Sequence, residues 1–407
     1  MTVRGHGFSE YLPWKLALKI VLSSVHPLPP ERVSLTDAVG RVLAEDVVAG
    51  RDVPPFDRSA VDGFAVIASD TFGASPAKPA RLKMAGKVLV GSRPKLKVSR
   101  GNAVKIATGA PLPPGADAVV PLEQTKVAGK KVEIYAPITP GKNVSARGED
   151  VKAGKKILEK GRIIRPHDVG LLAATGCSRL LAVKKPRVAI ISTGKEIVDP
   201  TAELGPGELP DVNSFSLFAA VKEAGGIPKI VGRARDDLEE LKFLIRRALG
   251  NDMVLVSGGT SVGERDFVPT AIAEVGEMLF HGVSLRPGGP AGFGLVDGKP
   301  VFSLPGFPVA TLISFRLLAR PAMNVMQGLP PEHGRGIIRT RIARDVPSSL
   351  GRADVVRVKI NERGLAEPVM SGGSGILSSM TKADGFIIID ERKEGLRKGE
   401  MVKVELF

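Results

Sequence analysis

The segment Met253–Asp266, MVLVSGGTSVGERD, joins two kinds of residue that do chemistry together. A Gly-Gly-Thr-Ser-x-Gly loop after a short apolar run lets backbone N–H groups approach a phosphate closely. Glu264 and Asp266 close that loop. Carboxylates there would repel a bare phosphate, but they make sense where Mg2+ lies between acid and phosphate. The pattern predicts a site for a phosphorylated ligand plus a divalent cation, with Ser257, Gly258, Gly259, Ser261 and Gly263 in the cradle. A simple tight turn is the competing reading.

Other clusters share this character. STGKE, Ser192–Glu196, offers Ser192, Thr193, Gly194 and Glu196 after a β-branched run, and Arg235-Asp236-Asp237 follows another. Glu196 or Asp236 alone reads equally well as a helix cap or first-turn acid. Placed jointly with Asp266, they point to a metal and phosphate site. Asn213-Ser214 opens a helix, either as a cap or as an anion-favouring N-terminus. Arg286, in LRPGGPAGF, is a fixed positive charge suited to phosphate or carboxylate. Pro305, in LPGFP, belongs to a rigid Pro/Gly loop. The first half adds PPFDRSAVDGFAV (54–66), ATGAPLPPGAD (107–117) and RGEDV (147–151). Asp57 and Asp62 there also read as turn formers. No Ser/His/Asp or Cys/His nucleophile pattern stands out, and His167 and His281 read as surface or packing residues.

The elements that must carry these loops are legible as periodicities. Helices are expected over 14–24 and from Thr36 to Ala44. Short apolar runs at Lys87–Gly91, Ala103–Ile106, Ala118–Leu122 and Val132–Tyr135 predict a small all-β module. A short helix is expected over Pro166–Gly176. From Pro186 onward, strands Arg187–Ser192, Ile227–Val231, Met253–Val256 and Val301–Ser303 alternate with helices over 213–225, 236–249, 268–275 and 308–326. Such alternation implies a parallel sheet covered on both faces, whose ligands bind at the strands' carboxyl ends. STGKE, Arg235–Asp237 and SGGTSVGERD all fall at those ends. After Pro330 short strands return, as at Val355–Ile360 and Phe386–Asp390, and read as a separate β domain.

Composition narrows the classes. A chain of 407 residues exceeds one core and predicts two to four domains. No apolar run approaches the roughly 20 residues of a membrane span. Glu10, Lys15 and Lys19 interrupt the first apolar stretch, which argues against a signal peptide. Cys177 is the single cysteine and the five histidines lack ligand spacing, so neither a disulfide nor a zinc cage is expected. The net charge of +15, from 58 basic and 43 acidic residues, reads as attraction to an anion or as a solvated basic surface. One Trp and two Tyr leave few base-stacking platforms. No nucleic-acid or membrane partner is expected, and the expected location is cytoplasmic.

Taken in order, PPFDRSAVDGFAV, ATGAPLPPGADAVV, RGEDV, STGKEIV, DVNSFSL, SGGTSVGERDF, RPGGP, LPGFPVA and SGGSGILSSM resemble the MoeA family. These are molybdopterin molybdenumtransferases related to the gephyrin E domain, and the match spans nearly the whole chain. The resemblance implies a multidomain α/β plus β architecture. Residues 1–53 and 145–180 would form an elongated N-terminal, dimerisation domain, with an inserted β domain over 54–144. A MogA/MoaB-like parallel-sheet α/β domain that binds molybdopterin would span 181–327, and a C-terminal β domain 328–407. A homodimer is implied, with its cleft formed between the α/β domain of one subunit and parts of the other.

The implied reaction consumes adenylylated molybdopterin, handed on by a MogA/MoaB-type adenylyltransferase. Mg2+ assists cleavage of the pyrophosphate link, AMP leaves, and molybdate or tungstate supplies the metal that enters the dithiolene. By motif position, Asp62, Glu196, Asp236 and Asp266 are the implied catalytic carboxylates, the last three as Mg2+ ligands. Thr108 and Asp150 match substrate-side positions, and Arg352 and Ser374 match positions that hold the oxyanion. The chain departs from the family where lysines often stand at Gly282, Arg286 and Gly289, and where Asp often stands at Lys195. These departures leave room for an altered oxyanion preference or a paralogue with reduced activity. A gephyrin-like binding or scaffold protein and a molybdopterin adenylyltransferase are the alternatives. Intact carboxylates favour an enzyme over a scaffold, and the extra domains favour insertion over adenylylation.

Overall fold

The computed structural model describes residues 11–258, 267–369 and 373–407. The described chain forms two compact units, one holding the residues up to Glu31 together with Val183–Phe407, the other Arg32–Ala182.

The first unit is built on a six-stranded sheet. Its strands lie in the order Ile227–Ala234, Arg187–Thr193, Met253–Ser257, Lys299–Leu304, Gly292–Val296, Glu277–His281. The first four are mutually parallel, and Val188 faces Met253 while Val254 faces Val301. Both faces are buried, as continuous apolar runs require. Val188, Ile190, Met253 and Leu255 join one core with Leu217, Val221 and Ile313. Ala189, Ile191, Val254 and Val256 join the other with Leu241, Ile245 and Ile272. The expected parallel sheet is extended by a hairpin whose strand Gly292–Val296 runs antiparallel to both its neighbours. That hairpin was not anticipated, because Gly292 and Gly294 interrupt its apolar pattern.

The helix Leu238–Ala248 starts on Asp237, whose side chain accepts from the Glu240 amide. Glu239 and Glu240 lie in its first turn and Arg246 and Arg247 in its last, each complementing the helix dipole. Residues 308–326 are helical throughout, as expected, with one π-helical segment at Phe315–Ala319. The first helix, Trp14–Ser23, buries Ala17 and Val21 in the same core as Leu317, Leu318 and Ala322. By contacts, the described residues up to Glu31 group with the α/β sheet rather than with Arg32–Ala182.

A second sheet in this unit orders Leu285–Arg286, Ala353–Ile360, Gly385–Ile389, Met401–Leu406 and Ile337–Arg341. Leu285 and Arg286 pair in parallel with Ala353 and Asp354, which ties this sheet to the loops of the first.

In the other unit, a six-stranded sheet orders Ala118–Pro121, Gly63–Val66, Asn102–Ile106, Ala80–Val88, Lys131–Ile134 and Thr125–Ala128. The strand expected at Lys87–Gly91 ends instead at Val88, and Leu89 and Val90 are exposed. The expected helix from Thr36 to Ala44 is absent. Gly40 takes φ +77°, and Val42 and Leu43, both buried, form single antiparallel bridges to Ile163 and Ala182. Consecutive buried residues fit an extended crossing between two partners, although their spacing also fits a helix. The helix expected over Pro166–Gly176 is present as Pro166–Ala174. No helix among the described residues is long and apolar enough to cross a membrane.

Candidate functional site

The chain steps from Arg187–Thr193 to Ile227–Ala234 on one side, and then to Met253–Ser257 on the other. This reversal makes a topological switch point, where the loops after two neighbouring strands diverge and leave a crevice. A cleft of about 1360 Å³ opens there, within the first unit. Ser192, Thr193, Ser257 and Gly258 line one wall. Arg286, Arg352 and Asp354 line the opposite one, together with Arg357 and Ser374.

The floor is held by a carboxylate that sequence reasoning missed. Asp211 accepts a 2.7 Å bond from Ser192 Oγ and a 3.0 Å bond from the Ser214 amide, capping the helix Val212–Glu223. The cap therefore lies on Asp211, ahead of the expected Asn213-Ser214. Asn213 turns its amide nitrogen to the Gly306 carbonyl at 2.7 Å. Close packing of the loops depends on one glycine. Gly258 has φ +99°, and a Cβ there would lie 2.3 Å from the Thr193 carbonyl oxygen.

Three buried polar atoms of this wall have no hydrogen-bond partner among the described residues: Thr193 Oγ1, Ser257 Oγ and Asn213 Oδ1. Buried polar groups are nearly always paired, so three orphans lining one cleft need an explanation. Two hydroxyl donors beside a strand terminus suit the oxygens of a phosphate, and the amide oxygen suits a ligand N–H or O–H.

The opposite wall changes the expected charge distribution. Arg286, expected as a cation suited to phosphate or carboxylate, makes a two-pronged ion pair with Asp354, its Nε and one Nη each donating to a separate carboxylate oxygen. Asp354 is buried and raises the Arg286 pKa through those bonds. Ser348 Oγ donates to the same carboxylate at 2.6 Å. Arg352 stacks over the Tyr11 ring at 4.0 Å. Arg357 is buried, and desolvation lowers its pKa. Asp354 and Arg357 went unnoticed because two isolated charges in a short strand match no motif spacing.

Glu196 lines the cleft and folds back over Gly194, where a Cβ would lie 2.8 and 2.9 Å from its two oxygens. Pro305 also lines the cleft, whereas Gly194 itself does not. Of the three expected carboxylates, Glu196 alone lines the cleft among the described residues. Asp236 is exposed and lies outside the cleft, at the turn leading to the Asp237 cap. Gly259, Ser261, Gly263, Glu264 and Asp266 lie outside the described residues. Among the described residues, no three His, Cys, Asp or Glu side chains converge as a metal site.

Asp62, Thr108 and Asp150 belong to the other unit, and all three are exposed. There the Thr108 amide donates to Asp62 Oδ1 at 2.9 Å, so these two are brought together. The departure at Gly282 has a backbone cause. Its φ of +96° is strained for any side chain, and its N–H and C=O engage Ala291 and Leu12.

A sheet covered on both faces, with a cleft at its switch point, is the architecture in which open α/β proteins bind small molecules. Family models agree along the chain. The MoeA N-terminal region (domains I and II) matches residues 12–176, a probable molybdopterin binding domain matches 189–325, and the MoeA C-terminal region (domain IV) matches 339–407. A putative molybdopterin biosynthesis protein of Methanocaldococcus jannaschii is 39% identical, over 97% of this chain and 98% of its own. The molybdopterin molybdenumtransferase of Staphylococcus aureus is 32% identical, over 97% and 95%. The crystal structure of a MoeA protein from Pyrococcus horikoshii superposes with TM-score 0.85 at 41% identity, covering 98% of this chain and 99% of its own. This chain belongs to the MoeA family, the molybdopterin molybdenumtransferases of molybdenum cofactor biosynthesis.

Proposed function

We propose that this protein binds adenylylated molybdopterin in the switch-point cleft and inserts molybdenum or tungsten with release of AMP. The observation that carries the reading is the pair of orphaned hydroxyls, Thr193 Oγ1 and Ser257 Oγ. Among the described residues they take no part in the protein's own hydrogen bonding, and they stand at the ends of the strands Arg187–Thr193 and Met253–Ser257. Ser192 is already committed to Asp211 and positions the floor instead.

Binding would place the ligand's phosphates against Thr193, Ser257 and the Gly258 turn. Arg352 and Ser374, on the facing wall, would receive the oxyanion. Arg286 would act by holding Asp354 and so that wall, rather than by touching phosphate. Mg2+ typically uses one or two carboxylates plus substrate phosphates. Glu196 supplies one such carboxylate in the cleft, and Asp266 is proposed as the second. Asp236, outside the cleft, receives no ligand role. When bound, Mg2+ would neutralise charge developing on the cleaved pyrophosphate.

The family resemblance supports a homodimer, substrate-side roles for Asp62, Thr108 and Asp150, and a MogA/MoaB-type adenylyltransferase upstream. It also supports the division into 1–53 with 145–180, 54–144, 181–327 and 328–407, and a cytoplasmic location.

The test is AMP release from adenylylated molybdopterin with Mg2+, adding molybdate or tungstate in parallel. Release that depends on one oxyanion supports insertion and names the metal. Tight binding without release under either would refute insertion and leave a binding protein on the same fold.

A further inference from the structure

Phe307 is 63% exposed although it is a large aromatic residue at the rim of the cleft. Its exposure does not come from a loose backbone. The Phe307 carbonyl accepts the Thr311 amide at 2.9 Å and Thr311 Oγ1 at 3.0 Å. The same hydroxyl reaches the Pro305 carbonyl, and Pro308 opens the helix Pro308–Ser314 directly after. A backbone pinned at both ends holds the ring out into the open.

The ring also has a defined place. Gly306, just before it, accepts Asn213 Nδ2 at 2.7 Å, which puts the loop beside the orphaned polar atoms. Ser374, whose carbonyl accepts the Val309 amide at 3.1 Å, is followed by Gly375 beside the ring, where a Cβ would lie 3.4 Å from Phe307 Cδ1 and 3.7 Å from Cε1. The glycine keeps that side of the ring free of a side chain. Among the described residues no aromatic ring or cation packs on Phe307. Tyr11, another aromatic side chain in the cleft, is covered by Arg352.

A phenyl ring makes no conventional hydrogen bond, and its negative face disfavours an oxyanion. It does favour a flat, electron-poor ring stacked against it. We propose that Phe307 is the stacking platform for a fused heteroaromatic ring of the ligand whose phosphates rest on Thr193 and Ser257. This inference rests on the phosphorylated-ligand reading above and assigns a specificity-determining residue to it. Pterin and adenine share the required chemistry, and the experiment separates them.

Full-length wild type, Phe307→Ala and Phe307→Trp are titrated calorimetrically with molybdopterin, with AMP and with inorganic pyrophosphate. The expected result is a loss of roughly 5- to 100-fold in affinity for one of the two ring ligands in Phe307→Ala, the range of aromatic–base stacking. Phe307→Trp should retain that affinity, and pyrophosphate binding should be equal in all three proteins. The ligand that weakens identifies the ring. If Phe307→Ala binds both ring ligands as tightly as wild type, the stacking role is overturned while the phosphate site stands. If wild type binds neither ring ligand, the phosphorylated-ligand reading fails first. Unchanged affinities with a lower solution mass for Phe307→Ala would assign the ring to a subunit contact, and also overturn the proposal.

Discussion

Ser192 and Asp211 are joined inside the protein by a 2.7 Å hydrogen bond, and the second oxygen of that carboxylate caps the next helix through the Ser214 amide. One buried carboxylate thus fixes the end of a central strand to the start of the helix that follows it. Asp211→Ala removes the cap and leaves the Ser192 hydroxyl buried without an acceptor. Together these should cost about 2–4 kcal/mol. Asp211→Asn keeps an acceptor and should cost less. Denaturant unfolding of the three proteins checks the order, and an Asp211→Ala variant as stable as wild type would remove the residue from the scaffold.

Thr193 and Ser257 should behave in the opposite way. Their hydroxyls cost desolvation without a hydrogen bond in return among the described residues. Thr193→Val and Ser257→Ala are therefore expected to leave stability unchanged or slightly raised. Each should weaken binding of a phosphorylated ligand by about tenfold, the worth of one or two hydrogen bonds. Thermal melts and calorimetry on the same samples measure both effects.

His281 predicts a pH dependence. Burial holds its imidazole pKa down to about 4, from 6.5. Between these values the unfolded chain binds the proton and the folded chain does not. Its contribution is therefore complete above pH 6.5 and declines as pH falls towards 4, by up to about 3 kcal/mol. His281→Leu should flatten the stability profile across that window. An unchanged slope would assign the acid sensitivity elsewhere.

The Arg286–Asp354 pair predicts non-additivity. Arg286→Ala strands a carboxylate that is only 4% exposed. Because the arginine end reaches solvent, the loss should be about 1–3 kcal/mol, below that of a fully buried pair. Arg286→Lys should recover only part of it, since the ammonium lacks the planar fork. Removing both partners should cost less than Arg286→Ala alone, which a double-mutant cycle detects.

What could be read beforehand follows burial on two faces. Arg187–Ser192 and Met253–Val256 are unbroken apolar runs because both faces of their sheet are covered, so strand and loop were both apparent. That placed Thr193, Ser257 and Glu196 at one cleft. The segment 36–44 was misread because Leu35, Val39 and Val42 fit a helical spacing while Val42 and Leu43 are buried side by side in extended chain. The ion pair inside the β wall was invisible for a different reason. Arg286 meets Asp354 across 68 residues of chain, and no local pattern encodes that pairing. Asp211 did leave a trace, an Asp three residues before Ser214, but the neighbouring Asn and Ser competed for the same role.

The central claim is that the switch-point cleft holds a phosphate-bearing molybdopterin through Thr193 and Ser257. Calorimetric binding of adenylylated molybdopterin to wild type and to the Thr193→Val/Ser257→Ala double variant tests it most directly. The account predicts saturable binding by wild type and a loss of about a hundredfold in the double variant, with no loss of thermal stability. Equal binding by the two proteins would contradict it and move the phosphate site away from these strands.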